Sequence, residues 1–162
     1  MDVTPATVRA EHERLLDRAD DVAPVVNAVR DELGTAFDTD VARVDAADYR
    51  NAIDTVFADD DRAVNVAGLS MLLRDLDVEG DYPGFVVDEL LGRELAAMLA
   101  GEQPLRLLAE ATFHYADVAV VDDTEGAAGL DDLDAALAAG VQTRLPGWEW
   151  RERPNPFEGS RK

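Results

Sequence analysis

PGFVVDELLGRELAAMLAGEQPLRLLAEATFHYADVAVV, residues 83–121, is the longest and least interrupted apolar helical pattern in the chain. Phe85, Val87, Leu91, Leu95, Met98 and Leu99 recur near helical spacing as far as Gly101, a natural stop. Gln103 and Pro104 then suit the cap and first turn of a second helix. That helix, residues 104–121, carries only Arg106, Glu110 and Asp117 as charges and is otherwise apolar or small nearly all round. Such a pattern belongs to a central, buried helix. The pair is therefore the scaffold that the other helices must cover.

Upstream, Thr4 and Pro5 make a good helix start, and Val8, Leu15, Leu16, Ala19 and Val22 follow at helical spacing. Pro24 should kink or break that helix, after which Val25, Val26, Val29 and Leu33 continue the apolar face to Gly34. Residues 35–44 read as a connection with a short extended piece at 41–44. Asp45 with Asp48 three residues on suits the start of a helix striped by Tyr49, Ala52, Ile53, Val56 and Phe57. Asp59, Asp60 and Asp61 are placed to cap the next, in which Val64, Ala67, Leu69, Met71, Leu72 and Leu76 recur. Downstream, residues 122–129 form an Asp- and Gly-rich turn before a short helix over 130–139 that stops at Gly140. The expected fold is all-α, a single-domain bundle of about six or seven helices. Its alternative is an α+β arrangement in which residues 112–121 form a buried strand paired with residues 141–150.

At 162 residues the chain suits one domain. Its charge is the dominant compositional feature, with 35 acidic against 15 basic residues, a formal net of −20, and Lys162 as the sole lysine. Asp outnumbers Glu by 23 to 12. Such a surface repels itself in dilute buffer, whereas at 1 M salt the screening length falls to about 3 Å. The composition resembles that of the Asp-rich, Lys-poor proteins of extremely halophilic archaea, and among them short helical proteins of unassigned function. The resemblance implies a cytoplasm rich in potassium chloride and a dense atmosphere of potassium or sodium counter-ions; it carries over no functional residue. There is no cysteine, so disulfides, thiolate chemistry and Cys-ligated metal sites are excluded. No leader and no apolar run of membrane-spanning length is visible, which leads us to expect a soluble, cytoplasmic protein. The anionic charge argues against nucleic-acid binding, which needs clustered Lys or Arg on phosphates.

The residues from Arg144 onward differ from the rest. Residues 144–162 carry a net of +2 on a body of −22, contain both tryptophans, and are interrupted by Pro146, Pro154 and Pro156. They read as a separate tail after a helical domain of residues 1–143. Trp148, Trp150, Arg151, Arg153 and Phe157 are its candidate interaction residues, docking on the body or on a neighbouring subunit, because Trp and Arg are enriched at binding hot spots.

Two further constellations bear chemistry. Arg106, Glu110, His114 and Asp117 fall within an arc of about 80° on one helix, so Glu110, His114 and Asp117 could converge on a divalent metal or a proton-transfer site. Against this, Arg106 pairing with Glu110 at i,i+4 accounts for the polar row without chemistry. Di-metal bundles use Glu-x-x-His, and the residues three before His12 and His114 are Arg9 and Ala111. Asp75, Asp77, Glu79, Gly80 and Asp81 resemble the first half of an EF-hand calcium loop, but Val86 stands where the bidentate Glu belongs and Pro83 at position nine. A solvated acidic turn is the simpler account of that stretch. His12, at the edge of the first helix's apolar face, reads as a structural or surface histidine. No serine-hydrolase, phosphate-loop, dinucleotide or His-Glu-x-x-His motif is present. No cofactor is expected beyond a divalent metal at those carboxylates. The function that fits best is a non-enzymatic protein-association or structural module, self-association included. The alternatives are a metal- or small-ligand-dependent helical enzyme and a weak calcium-binding helix-loop-helix.

Overall fold

The computed structural model of the protein describes residues 1–76, 87–121 and 128–148. The described residues form seven α-helices with one π-helical turn, and none of them is in a strand. The helices are α1 (Pro5–Asp17), α2 (Ala19–Ala36), α3 (Ala46–Phe57), α4 (Asp60–Asp75), α5 (Arg93–Ala100), α6 (Leu105–Val121) and α7 (Ala128–Val141). The π-turn, Val87–Gly92, leads directly into α5. The protein is an all-α bundle. The strand pairing of residues 112–121 with 141–150 is corrected: the first segment lies in α6, and the second is the end of α7 followed by turns as far as Trp148.

Local sequence accounts for the helix starts. Thr4 and Thr7 form a reciprocal capping box at α1, Asp45 and Asp48 form another at α3, and the Asp59 side chain accepts from Arg62 N at α4. The break near Pro24 falls elsewhere. Arg18 is both the last cap of α1 and the first of α2, and Pro24 sits inside α2. Pro24 faces solvent, while Val22, Val26, Val29 and Leu33 are fully buried on the opposite face, so packing holds the helix through the single backbone bond that proline removes.

The centre of the bundle is α7, not α6. Every described side chain from Asp132 to Thr143 is buried, and α7 packs against α2, α4, α5 and α6. Small side chains allow this. A Cβ on Gly140 would stand 2.5 Å from Leu99 Cβ and 2.7 Å from the Ala96 carbonyl oxygen, so α5 and α7 touch backbone to side chain at that point. Gly92 plays the same part against α6, where a Cβ would lie 2.4 Å from the buried ring of Phe113. Helix α6 buries Ala109, Thr112, Phe113 and Ala116 along one face and leaves the other open.

Residues 144–148 belong to the body. Leu145 and Trp148 are buried in the same core as the helices, and the Arg144 Nε donates to the Leu99 carbonyl at the end of α5. Gly101 closes α5 at φ 96°, and a Cβ there would collide with the guanidiniums of Arg62 and Arg144 at 2.8 and 2.9 Å.

Candidate functional site

Most of the buried charge ties helices to one another. Arg18, between α1 and α2, makes a two-point ion pair with Asp134 of α7 at 3.1 and 2.5 Å. Its hydrogen bond to Asp134 raises the Arg18 pKa. Asp134 is the more buried partner, and burial raises its own pKa against the pull of Arg18. The Tyr49 hydroxyl donates to the Leu15 carbonyl at 2.8 Å, joining α3 to α1, and burial pushes the phenol pKa up. Glu11 is fully buried in α1 and accepts from Arg74 of α4 and, at 3.2 Å, from Arg14.

Arg30 is buried without a carboxylate at hydrogen-bond distance. Its Nη1 donates to the carbonyls of Ala42 (2.6 Å) and Pro146 (2.8 Å), and its Nη2 to that of Gln142 (3.2 Å). Burial pulls its pKa down from the ordinary guanidinium range to about 10, with Asp48 opposing. Beside it, Asn27 donates to Val44 O and accepts from Val44 N, both at 2.9 Å, so one amide satisfies the backbone of Val44 as a strand partner would. The extended piece expected at residues 41–44 is thus held by a side chain. Sequence reading missed Arg30, although its place four residues after Val26 on the apolar stripe of α2 was a signal.

The sequence candidates are placed as follows. His114 is exposed on α6, and Glu110 and Asp117 are half-buried beside it. Arg106 does not pair with Glu110 along the helix but reaches across to Glu94 of α5 at 3.8 Å. Among the described residues no group of three His, Asp or Glu side chains is placed to hold a metal ion, Glu110, His114 and Asp117 included. Asp75 is exposed at the end of α4 and pairs with Arg74 at 3.3 Å, while Asp77, Glu79 and Asp81 lie outside the described residues. Of the two dockings expected for Trp148, on the body or on a neighbouring subunit, the structure has the first: it is 1% exposed, with its Nε1 donating to the Gln142 carbonyl at 3.1 Å. Trp150, Arg151, Arg153 and Phe157 lie outside the described residues. His12 stacks on Phe57 with ring centres 4.4 Å apart and meets Asp54 at 2.8 Å, a structural edge position as expected.

What remains is the open face of α6. Its exposed described side chains are Leu107 (56%), Ala111, His114, Tyr115 (44%) and Val118 (53%), and none carries a formal charge with His neutral. Helices α1 to α5 each expose Asp, Glu or Arg, and α7 exposes no described side chain. In a chain of net charge −20, this is the one exposed helix face without charge among the described residues. Contiguous exposed apolar surface of this kind marks contact sites. The sequence carries this face within a helix that is apolar or small nearly all round, a pattern that fits full burial as well as one open face.

A family model described as a domain of unknown function, DUF7984, matches residues 1–161. The chain belongs to that family. No curated protein and no solved structure matches it. No helix among the described residues is long and apolar enough to cross a membrane.

Proposed function

We propose that this protein is a salt-adapted, cytoplasmic, non-enzymatic protein-association module whose working surface is the open face of α6. The observation that carries this reading is the charge-free row Leu107, Ala111, His114, Tyr115 and Val118 on a body of net charge −20. Exposing Leu, Tyr and Val along one helix face gains nothing for the fold, and the row has the spacing of a helix contact. The buried or half-buried groups Glu11, Arg18, Arg74 and Asp134 join helices, and Arg30 fastens α2 to the backbone of neighbouring connections, which supports a structural rather than a catalytic use of charge. The excess of acid with a single lysine supports a salty cytoplasm and opposes nucleic acid as a partner.

Site-specific photo-cross-linking tests the reading. A benzophenone side chain placed at Tyr115 in the protein's own cells should give a defined protein adduct, and the same probe at Arg50 on the exposed face of α3 should not. Absence of any adduct at position 115, or the same adducts from both positions, would overturn it.

A further inference from the structure

Resting on the association reading, we propose that the partner of α6 is α6 of a second copy of this chain, packed antiparallel about a two-fold axis. Leu107, Ala111, His114 and Val118 are spaced by four, three and four residues, the step pattern of a two-helix seam. That spacing reads the same in both directions. A two-fold contact requires that if one residue meets another, the second also meets the first, and an antiparallel pair satisfies this here. Leu107 meets Val118 of the second copy, and Ala111 meets His114 of the second copy. Ala111 and His114 lie equally near the axis, where the two helices approach most closely, and the small alanine leaves room for the imidazole of the second copy.

Charge selects the same occupant. Two copies of a −20 chain repel each other wherever their acidic faces meet, and among the described helices the α6 face is the one that can come together without burying a carboxylate. A cationic partner would instead be drawn to the acidic faces of α2 or α4. Along one edge of the seam, the half-buried Glu110 approaches Asp117 of the second copy. Salt screens that repulsion, so self-pairing tightens as salt rises. A single helix pair buries less than the roughly 800 Å² per partner of a standard interface, so the dimer is expected to be a weak, concentration-dependent one.

The full chain is to be followed by analytical ultracentrifugation across concentration, in low salt and in molar potassium chloride. A dimer that grows with both is expected; Ala111→Glu should abolish it with unchanged thermal melting, and Glu110→Gln should let it form at lower salt. Because the chain has no cysteine, orientation can be read by oxidation. The double variant Ala111→Cys/His114→Cys should give a covalent dimer. Leu107→Cys alone should not, because in the antiparallel pair the two 107 positions lie roughly 16 Å apart along the axis, beyond disulfide reach. A monomer at every concentration, a dimer indifferent to Ala111→Glu, a dimer loosened by salt, or cross-linking of Leu107→Cys would each overturn the proposal. A monomer that still yields a heterologous adduct from position 115 removes self-pairing and leaves the association reading standing; no adduct of any kind removes both.

Discussion

Arg30 and Trp148 converge on one carbonyl oxygen. The Arg30 Nη2 and the Trp148 Nε1 both donate to the backbone oxygen of Gln142, at 3.2 and 3.1 Å, and the guanidinium carbon lies 5.5 Å from the indole ring centre. Residues 144–148 are thereby fastened to α2 and to the connection after it. Arg30→Met removes three donated bonds, but the Gln142 oxygen keeps Trp148 and the other two carbonyls are near solvent. The expected loss is about 2 kcal/mol. Trp148→Ala should cost about 3–5 kcal/mol through the cavity it leaves. Urea unfolding in molar potassium chloride measures both, and a double variant losing the plain sum of the two would show that the residues do not cooperate.

Gly140 gives a prediction whose sign opposes helix propensity. In an isolated helix Gly→Ala stabilises by about 1 kcal/mol. At position 140 the added carbon would stand 2.5 Å from Leu99 Cβ and 2.7 Å from the Ala96 oxygen, so α5 and α7 must separate. Gly140→Ala should therefore destabilise by about 1–3 kcal/mol, seen as a lower melting temperature.

Tyr49 makes the fold sensitive to alkali. Its phenol is held above its ordinary pKa by burial, whereas in the unfolded chain it ionises near pH 10. Below that pH both states hold the proton and its stabilisation is complete; above it the unfolded chain releases the proton while the native chain keeps it, so stability falls as pH rises. Comparing the wild-type chain with Tyr49→Phe isolates the phenol. The variant should be less stable by about 1 kcal/mol at pH 8, through loss of the bond to the Leu15 carbonyl, and should lose less between pH 9 and 11. Thermal melts across that range check it.

The buried Glu11 depends on Arg74. Arg74→Met should cost about 3–5 kcal/mol because it strips a fully buried carboxylate of a cross-helix partner, and Glu11→Leu/Arg74→Met should recover much of that loss. The exposed Arg43–Asp31 pair at 3.5 Å should show no measurable effect when Arg43 becomes Ala. Chemical denaturation of the three variants distinguishes the two kinds of ion pair.

The sequence by itself determined the helical class, most of the helix boundaries and the charge character. Capping residues such as Thr4, Asp45 and Asp59 act within one turn, and Gly101 terminates a helix through its own backbone freedom, so these signals are local. Which faces are covered is not local. Residues 104–121 are apolar nearly all round, a pattern equally compatible with burial on every side and with one buried face and one open contact face; the packing of α2, α5 and α7 over the side that holds Phe113 and Ala116 settles which. The Ala- and Gly-rich helix α7 reads locally as a short helix after an acidic turn, yet it lies at the centre because small side chains permit the closest approach. Glu110, His114 and Asp117 share a helix side by spacing, but spacing does not set where side chains end. Trp148 and Arg30 are 118 residues apart, and nothing in either neighbourhood announces the carbonyl they share.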